Sequence, residues 1–335
     1  MNLAYIILAH RNPQQLFRLV DRLDNEGVTF VFHISKASDK GFDKEMRKLF
    51  RDKKNVYFCK REDGTHNHFG IVKGTINALK LLFEKNIAFD YVSLLSGQDY
   101  PIKSNREINR FLEENKGREY LQFWPLFPAK DSEFFNDHPW GPHRQIYRID
   151  RYHIKFCGKK QSIPELLTAR LTEHSLYKTL KIFIYESPKY LREKRWKEEF
   201  LLFSLSRILP QKRKIPGTFE VYGGKTWWTF TRECSEYIVK FYDNNPKFNR
   251  FFRYTLIPDE MYFQTLLMNS PFAEKVENDY LREIEWEGGD GTHPIVFKKE
   301  HFQRLKDSAA LFARKFDTDI DGEIFDEIDS ELLNK

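Results

Sequence analysis

Pro258-Asp259-Glu260 places two carboxylates between a proline and the apolar run MYFQTLLM. Proline suits the first position of a helix, so both acids are expected in a first helical turn. There they can complement the positive end of the helix dipole. Alternatively, one can serve as a general base on a rigid helix end. Spacing alone does not separate the two.

A second acidic run lies near the C-terminus, where Asp317, Asp319 and Asp321 alternate ahead of Gly322. With Asp317 first, a calcium loop would need a bidentate glutamate at its twelfth position, which is Ile328. An EF-hand is therefore rejected and no metal is expected here. His66 and His68 alternate in GTHNHFG without a third ligand nearby, and read as a polar loop. Trp227 and Trp228 follow two glycines in GGKTWWTFT. Adjacent strand residues face opposite sides, so one indole can enter the core while the other faces a cleft suited to a sugar ring. Core packing of both is the alternative.

Four short apolar runs would carry these groups: LAYIILA (3–9), VTFVFHI (28–34), NVYFC (55–59) and FDYVSLLS (89–96). They alternate with the helical patterns PQQLFRLVDRLDN, GFDKEMRKLFRD, FGIVKGTINALKLLFEK and SNREINRFLEEN, the last capped by Ser104. Apolar strands alternating with helices predict an α/β fold, a mostly parallel sheet with helices on both faces. Ligands of such sheets bind beyond the carboxyl ends of the strands. His10 and Arg11 follow the first strand and Asp99 lies in the turn SGQDYP after the fourth, so all three fall on that edge. Residues 120–215 are rich in aromatics, Lys and Arg and read as an inserted, partly helical segment. From 216, KTWWTFT and YLREIEW (280–286) read as strands, RECSEYIVKFYDNN as a helix, and KKEHFQRLKDSAALFARKF as one or two helical turns.

Several classes are excluded. No Gly-x-Gly-x-x-Gly follows the first strand and no Walker loop occurs, which argues against a dehydrogenase or a nucleoside triphosphatase. The net charge is only +6, diluted by 49 acids, and no nucleic-acid motif is present. Cys59, Cys157 and Cys234 are odd in number and scattered, as expected of free thiols in a reducing compartment. No apolar run approaches a membrane span. A cytoplasmic protein is the expectation.

The segments AYIILAHRNPQQLFRLVDRL, YVSLLSGQDYPIKS, GGKTWWTFTRECSEYIV, IPDEMYFQTLLMNSPF, GGDGTHPIVF and ALFARKFD, in this order, resemble the core-2/I-branching glycosyltransferases. That family includes β-1,6-N-acetylglucosaminyltransferases and peptide O-xylosyltransferases. The resemblance covers 1–115 and 216–325, with a loose match between. It implies a GT-A fold, a single catalytic domain over 1–335. The nucleotide-binding half would span 1–118, the inserted basic and aromatic segment 119–215, and the acceptor-binding and catalytic half 216–335.

The implied reaction is an inverting transfer from a UDP-sugar, most commonly UDP-GlcNAc, to a glycan hydroxyl. Glu260 falls on the family's catalytic base, and Arg282 and Lys315 on its diphosphate contacts. His10, Arg11, His33 and Asp99 are assigned to the UDP-sugar, and Trp227, Trp228 and Asp259 to the acceptor. Inversion needs a base for the attacking hydroxyl. It also needs positive charge at the departing diphosphate, which an arginine and a lysine can supply in place of a metal. No metal or other cofactor is therefore expected.

One position departs from the family. Many members carry Val-His-x-Asp after the second strand, whereas FHISKAS keeps His33 and puts Ser35 in place of the acid. A different nucleotide pocket and a hydroxyl substituting for the carboxylate both remain open. The basic middle segment, with Trp196 and Phe200, is either a solvated surface or a docking face for an anionic membrane. The expected partners are a UDP-sugar donor and a glycan or lipid-linked oligosaccharide acceptor, met peripherally on the inner face of the plasma membrane in surface polysaccharide biosynthesis. No nucleic acid is expected. The alternative is a non-catalytic carbohydrate- or nucleotide-binding module on the same fold.

Overall fold

The computed structural model of the chain describes residues 1–65, 68–141, 145–150, 152–153, 213–286 and 294–333. His66, Cys157, Trp196, Phe200 and the Gly-Gly-Asp segment lie outside them, as does most of the basic insertion.

The four apolar runs form β1 (Leu3–Ala9), β2 (Val28–Ile34), β3 (Val56–Phe58) and β4 (Tyr91–Ser96). Between and after them come α1 (Pro13–Leu23), α2 (Phe42–Leu49), α3 (Gly70–Glu84) and α4 (Asn105–Glu114). The Ser104 cap is a full capping box: its hydroxyl accepts from Glu107 N, and its own N–H donates to the Glu107 carboxylate at 2.8 Å. A short β5 (Asp99–Pro101) leaves the main sheet. β6 (Glu119–Pro125), β7 (Tyr222–Thr231) and β8 (Val276–Glu277) complete a seven-stranded sheet of order β3-β2-β1-β4-β7-β6-β8. Only β7 runs against the others. A three-stranded sheet joins β5, β9 (Arg282–Ile284) and β10 (Phe312–Arg314).

The alternation of each strand divides the core. Leu3, Tyr5 and Ile7 of β1 pack with α1, α2 and α4 on one face, together with α9 (Glu323–Glu331). Ala4 and Ile6 pack on the other face with α3, α5 (Arg232–Asn244), α6 (Pro246–Arg253) and α7 (Tyr262–Met268). This is the expected α/β architecture with helices on both faces. The smaller α8 (Phe302–Asp307) precedes β10.

Several boundaries differ from expectation. The first residues of the segment read as an insertion form β6, an integral strand. The 280–286 strand shrinks to Arg282–Ile284, and ALFARKF contributes β10 rather than more helix. The acidic C-terminal run holds α9, whose Ile324, Phe325 and Ile328 are fully buried. Asp329 of α9 is also buried; it accepts from Tyr100 Oη at 2.7 Å and pairs with Arg18 and Arg22 of α1. Buried charge of this kind persists only where partners satisfy it. Cys59 and Cys234 are free and buried, and burial raises both thiols, Cys59 to about 12.

His33, in β2, is buried against Gly74 of α3, where any Cβ would overlap the imidazole. Its Nε2 accepts from Glu62 N at 3.0 Å. Burial lowers its pKa from the usual 6.5 to about 4; Glu62 opposes the shift, while Arg61 and Lys36 add to it. The unfolded chain therefore binds a proton between these pH values that the folded chain does not. Stability should fall as pH drops through that window, by up to about 3 kcal/mol. Urea titrations from pH 7 to 4 should show this slope flattened in His33→Gln. A wild-type-minus-variant difference that is constant over the range would contradict it.

Candidate active site

The open edge of the sheet lies where β1, β2 and β4 end. β7 reaches it through an irregularity: Leu121 of β6 faces Trp228, but Phe123 already faces Gly224. Lys225, Thr226 and Trp227 thus bulge opposite Gln122, and a bulge of this kind re-aims side chains. The paired glycines permit it. A Cβ on Gly224 would collide with the Gln122 carbonyl, and one on Gly223 with the Trp140 ring.

Each bulged residue holds a different part of the site. The Lys225 ammonium lies 3.9 Å over the Trp286 ring, while its carbonyl accepts from Gln264 Nε2 at 2.7 Å. Thr226 Oγ1 donates to Asp259 Oδ2 at 2.9 Å. Trp227 carries the Arg314 guanidinium 4.1 Å above its ring.

The Pro258–Glu260 run is a 3₁₀ turn ahead of α7 rather than the first turn of a helix. Ile257 before it has φ +49°, a left-handed conformation costly for a β-branched residue and typical of functional turns. The turn buries Asp259 and leaves Glu260 partly open. Arg148 Nη1 donates to Glu260 Oε2 at 2.7 Å, and among the described residues Oε1 receives no hydrogen bond. Arg148 lies 4.3 Å over the Trp140 ring, which itself packs on Gly223. A contiguous stack therefore runs from Gly223 through Trp140 and Arg148 to the candidate base.

A cationic patch forms the other side. Burial lowers the Lys315 pKa, and so do Arg11 and Arg314, against Asp317. His10 is lowered by desolvation, then by Arg11, Lys315 and Arg314, with Asp39 opposing. These shifts place all four groups within electrostatic reach of one another. Among the described residues Lys315 has no ion-pair partner. Arg11 Nη2 pairs with Asp317 Oδ2 at 2.6 Å. Gln15 of α1 donates to the Gly97 and Phe316 carbonyls and accepts from Thr318 N, fixing the backbone that follows Lys315.

Other expected site residues lie deeper. Asp99 is fully buried and accepts from Ser96 N at 2.6 Å and Ser96 Oγ at 2.5 Å. It meets Arg314 Nη1 at 3.5 Å, so it orients that arginine from below. Arg282 donates to the Leu94 and Tyr280 carbonyls, both at 2.7 Å, and lies over Phe312. Burial lowers it to about 10. It brackets the two sheets, while Arg314, which the sequence did not single out, is the arginine nearer the opening. Ser35 Oγ accepts from Gly64 N at 3.0 Å and Ala37 N at 3.1 Å, anchoring the loop that follows β3.

Trp228 is fully buried, stacked 4.2 Å from Phe230 and packed on Phe263. Trp227 is mostly buried beneath Arg314, so neither indole presents a bare face. Trp228→Ala should cost about 3–5 kcal/mol of stability in chemical denaturation. A loss under about 1 kcal/mol would contradict its place in the core.

The acidic run near the C-terminus is occupied internally. Asp317 also accepts from Asn12 and Asp319 N, and Asp321 accepts from Ile324 N and Lys299 N. Among the described residues no group of three His, Cys, Asp or Glu side chains is placed to hold an ion.

The family model described as Branch: Core-2/I-Branching enzyme matches residues 3–123 and 168–306, well over half of the chain. Xylosyltransferase 2 of Canis lupus familiaris is 25% identical over 353 residues, covering 99% of this chain and 34% of that protein. Beta-glucuronosyltransferase GlcAT14B of Arabidopsis thaliana is 35% identical over 125 residues, 37% of this chain and 28% of its own length. Xylosyltransferase 1 of Rattus norvegicus is 32% identical over 136 residues, 36% of this chain and 17% of that protein. The chain thus spans about a third or less of the length of these curated relatives. Since the match runs from β1 into β6 and again through the β7 bulge and the Pro258–Glu260 turn, the chain belongs to the Core-2/I-Branching enzyme family of glycosyltransferases.

Proposed function

We propose that the chain is an inverting glycosyltransferase that moves a sugar from a UDP-sugar to a glycan hydroxyl, with Glu260 as base and without a metal. The observation that carries this reading is the three-residue bulge of β7, which ties the base turn to the cationic edge. Arg148 fixes Glu260 Oε2 and leaves Oε1 to take the proton. As it does so, the acceptor oxygen attacks the anomeric carbon and the bond to UDP breaks on the opposite side. The departing diphosphate gains negative charge, which Lys315, with Arg314 and Arg11 beside it, is suited to stabilise. Ser35 anchors the loop beside the nucleoside edge instead of presenting a carboxylate to it.

GlcNAc is our first choice of donor sugar. Xylose and glucuronic acid are close competitors, because the relatives are named for them. A role in surface polysaccharide synthesis at the cytoplasmic side of a membrane belongs to the same proposal, supported by the basic, aromatic composition of 119–215. None of the described helices is long and apolar enough to cross a membrane. The deciding experiment measures UDP release from UDP-GlcNAc, UDP-xylose and UDP-glucuronic acid in the presence of a panel of glycan acceptors, with and without EDTA. Release that EDTA leaves intact is expected. Collapse with EDTA and recovery with added Mn²⁺ would overturn metal independence, and UDP binding without release from any donor would favour a non-catalytic module.

A further inference from the structure

Building on the transferase reading, we propose that the acceptor sugar carries a carboxylate, bound by Lys225 in the cleft beside the base. Glu260 and Arg148 lie within electrostatic reach of Lys225. Glu260 pairs with Arg148 at 2.7 Å. Lys225 has no carboxylate within ion-pair distance among the described residues and rests on the Trp286 ring. Asp259, the other acid of the turn, faces Thr226. Burial lowers the Lys225 pKa, opposed by Glu260 and reinforced by Arg148. A half-buried ammonium held in this way calls for an anion.

The space for that anion is present. Lys225 opens on a cavity of about 230 Å³, which also presents Gln122 and Asn278 and is walled by Phe123, Trp124 and Phe134. That is the volume of several waters, room for a carboxylate and part of a sugar ring. Asn278 uses Oδ1 to accept from Phe123 N at 2.8 Å, which leaves its amide N–H₂ for a ligand oxygen. One unmatched cation suits a monoanion, hence a uronic acid rather than a phosphate monoester.

The same geometry links binding to turnover. When Glu260 takes the acceptor proton it becomes neutral, and the positive charges of Arg148 and Lys225 lose the carboxylate that offset them. A carboxylate on the acceptor offsets that charge during the reaction, so it should raise kcat as well as affinity.

The test uses a glucuronic-acid-containing oligosaccharide and its carboxyl-reduced form, titrated against the full chain with UDP present and followed by tryptophan fluorescence. The acidic form should bind about tenfold tighter, the scale of one charge-assisted contact. Lys225→Gln should bring the two dissociation constants together, and Lys225→Arg should keep them apart. Equal affinities in the wild type, no binding of either sugar, or a separation that survives in Lys225→Gln each overturns the proposal. UDP release from the donor panel in the presence of each acceptor is read in parallel. Its absence with both acceptors sinks the transferase reading, whereas release without carboxylate discrimination sinks only the acidic acceptor.

Discussion

Glu260→Gln should lower transfer about 10²–10⁴-fold, the usual contribution of a general base, while UDP binding is retained. Glutamine matches glutamate in shape, and its carbonyl can still accept from Arg148, so the turn and the Trp140–Arg148 stack should survive. Only the ability to take a proton is removed. Initial rates of UDP formation in the presence of acceptor, set against calorimetric titration with UDP, separate the two effects. Unchanged turnover would remove Glu260 from the base role. A loss of UDP affinity equal to the loss of rate would show instead that the substitution had disturbed the donor edge.

On the proposed reading, Lys315→Met should lower kcat about 10²–10³-fold, because it removes charge from the side assigned to the departing diphosphate. Lys315 is the informative cation because it has no ion-pair partner among the described residues, so its loss strands no buried acid. Arg314→Met would confound the two effects by leaving Asp99 buried without its cation. Arg282→Met supplies the contrast. Its guanidinium joins the two sheets through backbone carbonyls, so its loss should appear in the denaturation midpoint more than in kcat. A kcat collapse in Arg282→Met with unaltered stability would move the diphosphate contact from Lys315 to Arg282.

The parallel half of the fold was legible because its strands are apolar on both faces and its helices carry clear stripes and caps, as in the Ser104 box. The short strands β5 and β10 escaped because three residues carry no periodicity. The helix α9 escaped because its acids were weighed only as candidate metal ligands and then rejected, although Ile324, Phe325 and Ile328 carry the helical spacing. At the candidate site, Glu260 and Lys315 were singled out through ordered segments. Arg148 and Lys225 were not, since each acts through a partner far away in sequence: Arg148 and Glu260 are 112 positions apart. Arg314 was one residue from a chosen lysine, and only its stacking on Trp227 shows which of the adjacent cations is held and which is free. Trp227 and Trp228 were read as a choice between core and cleft. The bulge lets one enter the core and the other carry an arginine.

The ion pair between Arg11 and Asp317 joins residues 306 positions apart, whereas the Thr226–Asp259 contact at the base closes a separation of only 33. The two halves of the site therefore differ in the length of chain that must close to form them. The contact between the base turn and the bulge closes a short stretch, although the bulge itself needs β6 opposite it. The cationic edge exists only once the end of β1 meets a segment some three hundred residues further along. Closure over that length carries a large entropic cost before any contact offsets it. Until that closure is made, Arg11 lacks the acid that pairs with it in the folded chain. On the proposed reading, the cationic edge that would face the diphosphate depends on the longer of the two closures.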